Sequence, residues 1–422
     1  MPWLGEVPAH WNATRLKFAA RVQTGIALGK TYNEAMSEFP YLRVANVQDG
    51  FIDLSDVKTI MVPEREAASA LLRDGDVLMN EGGDADKLGR GAIWEGTISP
   101  CLHQNHVFAL RPHSVSSKWL STWIGSAYAK AYFETRAKQS TNLASISSTN
   151  LLELPIALPP QDEQQAIIEY TSRATARIDA LVAAKQRVID LLYEKRKAIV
   201  ATAVTRGLDS KVKLRDSGVP WLGEIPTHWE VERARRLFRE RDVRSTSGEE
   251  EMLTVSHLTG VTPRSEKDVN MFEAETNEGY KLCESGDLVI NTLWAWMGAM
   301  GIAPVKGIVS PAYNVYEPGP RLAPAYIDAL VRLPVFAQEV TRYSKGVWSS
   351  RLRLYPEGFF EVVLPVPPQE EQRAVVKHIA RETAKLDAVR TATERTIALL
   401  NERRSAVIAA AVTGLLDVRA AA

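Results

Sequence analysis

The chain has 422 residues, 45% of them hydrophobic and 24% charged, a balance typical of a globular protein and unlike that of a disordered one. Its 51 basic and 51 acidic residues give a formal net charge of zero, which excludes a uniformly basic protein but is compatible with separate basic and acidic surfaces. Two cysteines are too few for a disulfide framework. The N-terminus does not resemble a secretion signal, and no apolar run reaches the ~20 residues of a membrane span. We therefore expect a cytoplasmic protein with no membrane partner.

The chain opens on a segment that returns later. Residues 2–11 read PWLGEVPAHW and residues 220–229 read PWLGEIPTHW, so eight of ten positions are identical; we name this segment the PWLGE motif. Residues 158–209 match residues 366–417 at 25 of 52 positions. A repeat of this length indicates a duplicated domain with a pseudo-twofold axis, since a solenoid needs at least three shorter repeats.

Between these matched segments lie two variable bodies, roughly residues 12–157 and 230–365. Short apolar runs bounded by glycine and aspartate predict strands, and apolar residues recurring at three and four positions predict helices. The predicted strands are Leu42–Val47, Asp76–Met79 and Asp287–Ile290, and the predicted helices are Trp119–Arg136 and Ala325–Arg342. Each body, at about 140 residues, is long enough for a core of its own.

Each copy ends in one long predicted helix. Residues 161–205 contain no proline or glycine, a Pro-Pro pair precedes each helix, and Gly207 and Gly414 are expected to end them. An apolar stripe follows 3–4 spacing in both helices, interrupted at the matched positions Lys185 and Thr393. The stripe consists of Ile178, Leu181, Val188, Leu192 and Ile199 in the first helix and Leu386, Val389, Leu400 and Val407 in the second. Antiparallel pairing of the helices buries both stripes at once and is favoured over separate docking on the bodies.

We therefore expect an α+β fold. Two mixed α/β domains are separated by two long antiparallel helices that form an imperfect coiled coil, and the whole is an internal pseudo-twofold repeat. The predicted boundaries are residues 1–157 and 209–365 for the domains, and 158–208 and 366–422 for the helices.

No catalytic motif is found in the chain. Residues 25–31 resemble a phosphate-binding loop, but Thr24 stands where the first glycine is required. Cys101, His103 and His106 have the chemistry of metal ligands, yet no fourth ligand is near and the second copy has none of the three. We therefore expect no catalytic, cofactor-binding or metal-binding residues.

Basic residues gather late in each body. Residues 111–150 hold five basic residues against one acidic residue, and residues 342–353 hold four against none, a net charge of +4 in each. Arginine and lysine contact phosphates and guanine, and asparagine or glutamine contacts adenine. A DNA-binding surface and a merely solvated surface are therefore equally good interpretations of these clusters. A glycine-rich loop at residues 80–91 corresponds to an aromatic loop at residues 291–298, which indicates equivalent surfaces with different targets, or else structural turns.

The PWLGE motif and the repeated Pro-Pro-Gln-x-Glu-Gln helix start (residues 159–164 and 367–372) resemble the specificity subunits of type I restriction–modification systems. The resemblance covers essentially the whole chain. One departure is that the first motif lacks the Asp-Ser-Gly-Val lead-in that precedes the second at residues 216–219. It implies that each body is a target recognition domain for one half of a bipartite site in double-stranded DNA. It also implies that the helices space the half-sites and dock two methyltransferase subunits, which restriction and translocase subunits join. Catalysis, S-adenosylmethionine and ATP then belong to the partners, and this chain is a non-catalytic protein without a cofactor.

On this interpretation, the loops and basic clusters supply the DNA contacts. The candidate residues are Lys87, Arg90, Lys138, Gln139 and Asn142 in the first body and Trp294, Lys345, Trp348, Arg351 and Arg353 in the second. Three alternatives remain open: a coiled-coil scaffold that binds only proteins, a self-contained modification enzyme, and a specificity subunit without partners of its own. The second is disfavoured because the chain lacks the Asn- or Asp-Pro-Pro-aromatic tetrapeptide of an amino-methyltransferase.

Overall fold

The computed structural model describes residues 6–83, 88–140, 143–267, 276–346 and 352–418. The contacts define two compact units, Met1–Lys185 with Glu394–Ala422, and Gln186–Thr393. Each unit contains one body and one segment of each long helix. None of the helices in the described part of the chain has both the length and the apolar character needed to cross a membrane.

Strands and short helices alternate from residue 12 to the first long helix. The strands are β1 (Asn12–Arg15), β2 (Ala20–Thr24), β3 (Ser37–Leu42), β4 (Lys58–Val62), β5 (Val77–Asn80), β6 (Gly82–Gly83), β7 (Gly91–Ile93), β8 (Leu102–His103), β9 (Val107–Pro112), β10 (Lys138–Ser140), β11 (Leu143–Ser145) and β12 (Pro155–Leu158). The helices are α1 (Glu64–Ser69), α2 (Ser117–Ile124), α3 (Ala127–Arg136), α4 (Ser148–Leu152) and the long α5 (Gln161–Arg206).

The second half of the chain repeats this pattern. Its strands are β13 (Leu214–Asp216), β14 (Glu224–Pro226), β15 (Glu230–Arg233), β16 (Phe238–Glu240), β17 (Leu253–Ser256), β18 (Gly260–Pro263), β19 (Lys281–Cys283), β20 (Leu288–Asn291), β21 (Met300–Ile302), β22 (Gly307–Val309), β23 (Tyr313–Pro318) and β24 (Val363–Val366). Its helices are α6 (Ala234–Leu237), α7 (Pro324–Val331), α8 (Pro334–Arg342), α9 (Pro356–Glu361) and the long α10 (Gln369–Val412).

Both bodies are built on the same four-stranded antiparallel sheet. Its strand order is β2-β9-β5-β7 in the first body and β16-β23-β20-β21 in the second. Beside it, the first strand of each body pairs antiparallel with the last, β1 with β12 and β15 with β24. The internal repeat expected from the sequence is therefore confirmed in the strand topology.

A repeated Gly-Asp pair leads into the central strand of each sheet. Gly75 and Gly286 have φ of 85° and 97°, the left-handed region that favours glycine. The carboxylate that follows is buried and paired with an arginine: Asp76 Oδ2 lies 2.6 Å from Arg111 Nη2, and Asp287 Oδ2 accepts a hydrogen bond from Arg241 Nε at 2.7 Å. The pairing satisfies a charge that would otherwise be costly to bury, and it fixes the strand that carries each candidate loop.

Large side chains of each body pack with both long helices of the same unit. In the first unit, Trp119 shares a core with Ile167 of α5 and Val412 of α10. The corresponding core of the second unit contains Phe336, Val204 of α5 and Val375 of α10. Burial of these apolar surfaces is the main force that fixes a body to the helices.

The long helices run antiparallel within each unit. They have 46 and 44 residues, or roughly 65–70 Å each at ~1.5 Å per residue. In the first unit Arg404 Nε lies 2.9 Å from Asp179 Oδ1, and in the second Arg196 Nη1 lies 2.6 Å from Asp387 Oδ2. Because both partners are shifted by 208 positions, the same two repeat positions pair in each unit. The predicted antiparallel pairing is confirmed.

Burial along the helices follows a coiled-coil seam that differs in part from the predicted stripe. Ile178 is buried as expected, and the polar Thr393 is only 7% exposed. Leu181, Val188 and Val389 are instead 52%, 38% and 49% exposed. At each of these points the seam passes through the next residue, which is half-buried Val182, buried Ile189 or half-buried Arg390.

The PWLGE motif contacts the start of one long helix in each unit and, in the first unit, packs near the end of the other. In the first unit, Nε2 of His10 lies 2.8 Å from Oε2 of Glu163 in the first turn of α5, and Trp11 packs in the core with Val412 near the end of α10. In the second unit, Glu371 Oε2 lies 2.9 Å from His228 Nε2 and accepts a hydrogen bond from Trp229 Nε1 at 3.0 Å. These contacts explain by packing why the His-Trp end of the motif is repeated, whereas residues 2–5 lie outside the described residues.

The strand predicted at Leu42–Val47 is wrong after its first residue. β3 ends at Leu42, and Val44–Asn46 form a 3-10 turn. The reason is local: Asn46 Oδ1 accepts a hydrogen bond from the backbone N–H of Arg43 at 2.9 Å, and such a side-chain bond competes with strand pairing.

The helices predicted at Trp119–Arg136 and Ala325–Arg342 are each two helices. The first pair is separated at Ser126, whose hydroxyl accepts a hydrogen bond from the backbone of Ala129 and caps α3. The second is separated at Pro334, which begins α8 and cannot continue α7. The apolar periodicity was correct on both sides of each break.

Candidate nucleic-acid interface

In the first body, a hairpin pairs with the glycine-rich loop. Strands β10 and β11 form the hairpin, and β11 pairs antiparallel with β6, with Ala144 opposite Gly83. A Cβ on Gly82 would lie 2.7 Å from the carbonyl oxygen of Ala144, so the glycine permits this close approach. Lys138 and Gln139 are exposed on β10. Two regions singled out separately in the sequence are therefore adjacent.

The same loop is closed by Arg90. The backbone N–H of Asn80 donates to the carbonyl of Arg90 at 2.9 Å. The half-buried Arg90 side chain donates from Nη1 to Oε1 of Gln48 at 2.9 Å. Three first-body candidates thus border one loop, while Lys87 and Asn142 lie outside the described residues.

In the second body, Lys345 and Arg353 form the base of a loop. They exchange two backbone hydrogen bonds, of 2.9 and 3.0 Å, and both residues are exposed. The chain between them includes Trp348 and Arg351, which lie outside the described residues.

The aromatic loop lies against this base. Asn291 N–H donates to Ala299 O at 3.0 Å and closes the aromatic loop, as Asn80 closes the loop of the first body. Leu354 N–H donates to Thr292 O at 3.1 Å and joins the two loops. Trp294 is 49% exposed. The structure thus brings together the described candidates of the second body in the arrangement found in the first.

Asn291 is held at the start of the aromatic loop by the half-buried Tyr313. Its Nδ2 donates to the hydroxyl oxygen of Tyr313 at 3.0 Å, and burial raises the pKa of that hydroxyl. The tyrosine stays neutral at physiological pH and the loop start remains fixed.

Not every cation of the basic clusters is available to a ligand. Arg111 forms the ion pair with Asp76, whose hydrogen bond raises the pKa of Arg111. Arg342 Nη1 lies 3.0 Å from Oε2 of the buried Glu339. The net charges counted from the sequence therefore overstate the unpaired charge of the two clusters.

One further element of the first body was missed by sequence reasoning. The turn at residues 44–51 adjoins the glycine-rich loop: Asn80 Nδ2 donates to Val47 O at 3.0 Å, and Gly50 N–H donates to Gly91 O at 2.9 Å. Its signal was weak, a Gln-Asp-Gly turn after a strand, which is common in loops.

The described residues hold no group of three His, Cys, Asp or Glu side chains suited to a metal ion. His103 is buried, and its Nδ1 lies 2.7 Å from the carbonyl oxygen of Val107. Burial also raises the pKa of Cys101 and Cys283, each to about 12. These side chains take part in packing.

Comparison with known proteins points to one group. No family model matches the chain. It is 24% identical, over 384 residues, to the MjaX type I restriction enzyme specificity subunit of Methanocaldococcus jannaschii, covering 89% of this chain and 87% of that protein.

Two solved structures share the fold. A chain from a study of type I R-M complex assembly has a TM-score of 0.65 at 18% identity, covering 97% of this chain and 100% of that one. The HsdS subunit of Thermoanaerobacter tengcongensis has a TM-score of 0.50 at 17% identity, covering 97% and 98%.

Proposed function

We infer that this chain is the DNA-specificity subunit of a type I restriction–modification system, a protein that selects the DNA target and leaves catalysis to other subunits. The observation that carries the inference is similarity to specificity subunits over nearly the whole length of both proteins. A shared single domain would not account for it, because the match covers 89% of this chain and each of the two units holds only about half of it.

The geometry supports DNA recognition by each body. Each body presents one hairpin or loop base with exposed cations, Lys138 in the first and Lys345 with Arg353 in the second, beside a loop of distinct chemistry. Cations fix a protein on phosphates, and loop side chains discriminate base edges. We propose that the first body recognises one half of a bipartite site and the second body the other half. The ten candidate residues and the predicted domain boundaries remain part of this proposal.

The long helices carry repeated apolar residues that fit a repeated partner. Leu181 and Val389 are 208 positions apart and 52% and 49% exposed, and Leu191 and Leu399 are likewise related and 68% and 55% exposed. Each unit contains one member of each pair. Exposed apolar positions of this kind mark protein contacts, and two equivalent sets suit two copies of one subunit. We propose that they dock two methyltransferase subunits, to which restriction and translocase subunits are added.

The experiment is a comparison of methylated adenines in the host genome with and without the gene for this chain. We expect deletion to remove methylation from one bipartite motif and a plasmid copy to restore it. Gel shifts of the full chain with its methyltransferase subunits, on duplexes with either half-site scrambled, then test the two bodies separately. A methylation pattern unchanged by deletion, together with no preference for any duplex, would favour a scaffold that binds only proteins.

A further inference from the structure

Arg90 is oriented by a residue that lies 42 positions earlier in the chain. Its Nη1 donates to Gln48 Oε1 at 2.9 Å. The amide nitrogen of Gln48 donates to the carbonyl of Ala45 at 2.7 Å. Because the nitrogen is committed to Ala45, the amide oxygen has to face the guanidinium.

The backbones that carry the two side chains are also joined. Gly50 N–H donates to Gly91 O, and Asn80 N–H donates to Arg90 O, each at 2.9 Å. The Asn80 side chain is buried, with 4% exposure, and donates to Val47 O at 3.0 Å. The turn at residues 44–51 and the loop at residues 80–91 therefore hold each other, and the Gln48–Arg90 bond is not an incidental surface contact.

A guanidinium fixed in this way suits one kind of ligand. It has five N–H donors in one plane, of which the bond to Gln48 uses one. The planar fork matches the O6 and N7 acceptors of guanine in the major groove, which is the commonest base-specific contact of arginine. A side chain that is already restrained loses less conformational entropy when it binds.

We propose that Gln48 is a positioning residue that holds Arg90 for recognition of one guanine in the half-site of the first body. The inference rests on the proposed function and goes beyond it by naming a base, the residue that contacts it and the residue that orients the contact.

The test is selection from a random pool of DNA duplexes by the full chain with its methyltransferase subunits. The bound fraction is sequenced for the unmodified chain and for the variants Gln48→Met, Arg90→Ala and the double variant. Methionine keeps the length of glutamine but accepts no strong hydrogen bond. The matched control is Gln23→Met, a glutamine of the same body whose amide donates to Ser69 O instead.

We expect the unmodified chain and the control to select a guanine at one position. Arg90→Ala should lower that preference roughly tenfold or more, Gln48→Met should lower it severalfold at the same position, and the double variant should match Arg90→Ala. The remaining positions of the selected motif should be unchanged in every variant, which excludes general unfolding.

Three outcomes would overturn the inference. They are a guanine preference retained in Gln48→Met, an effect of Gln48→Met that persists in the Arg90→Ala background, and a loss spread over all positions. If the unmodified chain selects no motif at all, the proposed function fails and this inference fails with it.

Discussion

Many hydrogen bonds between proteins and DNA go to phosphates, and exposed arginine and lysine side chains donate a large part of them. Lys345 and Arg353 are exposed, and their backbones are paired. Phosphate contacts position a protein without regard to sequence, and each one releases counterions when it forms.

We therefore expect Arg353→Ala to weaken binding to all duplexes about equally and to reduce the slope of log affinity against log salt by about one. The measurement is a salt titration of the affinity for a selected and a scrambled duplex. Lys306→Ala is the control, because it removes the same charge from the same body at a residue paired with Glu284 at 2.8 Å. Equal slopes for the two variants would assign the effect to net charge, and a loss confined to the selected duplex would make Arg353 a base contact.

The reactivity of the two cysteines reports how tightly each body is packed. Cys101 and Cys283 are 1% and 0% exposed, and burial raises the pKa of each thiol to about 12. Since the thiolate is the reactive form, a raised pKa leaves only about one thiol in ten thousand ionised at pH 8. We expect no reaction with a thiol reagent in the native protein at that pH and two equivalents after denaturation. Prompt reaction of one thiol would mean that its body opens in solution.

At the scale of elements, the glycines that end the long helices also face the PWLGE motif. Gly207 and Gly414 have φ of 75° and 74°. A Cβ on Gly414 would clash with the ring of Pro8, whereas one on Gly207 would first meet the flexible carboxylate of Glu371, at 2.8 Å. The two helix ends are equivalent in the repeat but differ in what a side chain would displace.

We expect Gly414→Ala to lower the unfolding midpoint of the first unit more than Gly207→Ala lowers that of the second. Gly218→Ala is the matched control, because Gly218 has φ of 71° and a Cβ added there would meet no atom within 4 Å, so only the left-handed backbone is penalised, by roughly 1–2 kcal/mol. Urea unfolding followed by tryptophan fluorescence measures all three. Equal shifts in the three variants would show that the helix end does not press on Pro8.

The exposed apolar residues of the long helices, Leu191 and Leu399, allow a test of subunit docking. We expect Leu191→Glu and Leu399→Glu each to remove one methyltransferase subunit from the purified complex, and the double variant to remove both, because a carboxylate is costly to bury against an apolar partner. Ala183→Glu, at another exposed position of α5, is the control. The mass of the complex measured by light scattering reports the result, and a full complement of subunits in the double variant would move the docking surface elsewhere.

Some elements could be predicted from the sequence and others could not. The long helices were predictable because their signals are local: residues 161–205 contain no proline or glycine, and a glycine follows the end of each helix. The strand at Leu42–Val47 failed because one side chain, Asn46, formed a turn where the apolar pattern indicated a strand. Lys138 and Arg90 became candidates from charge and loop composition, but Gln48 did not, because only its contact with Arg90, 42 positions away, draws attention to it.

At the scale of the whole molecule, the two units are built from different arrangements of the chain. The second is one continuous stretch, Gln186–Thr393, whereas the first joins Met1–Lys185 to Glu394–Ala422. Ala411, Val412 and Val418 are 0%, 0% and 4% exposed, in the core that contains Trp11. The first body therefore depends on residues that lie more than 250 positions later in the sequence.

We expect a chain that ends at residue 393 to keep the second unit folded and to lose the first. Each buried valine that is removed withdraws about 1.5–3 kcal/mol of apolar burial, and the part of α5 in the first unit loses its helical partner. Limited proteolysis with mass mapping should find cleavage within residues 6–158 and protection across residues 230–365. A separate peptide of residues 394–418 should restore protection when added, because it supplies the missing core residues without a covalent link. Protection of the first body in the shortened chain without that peptide would mean that the body folds alone and that the last helix serves the helix pair only.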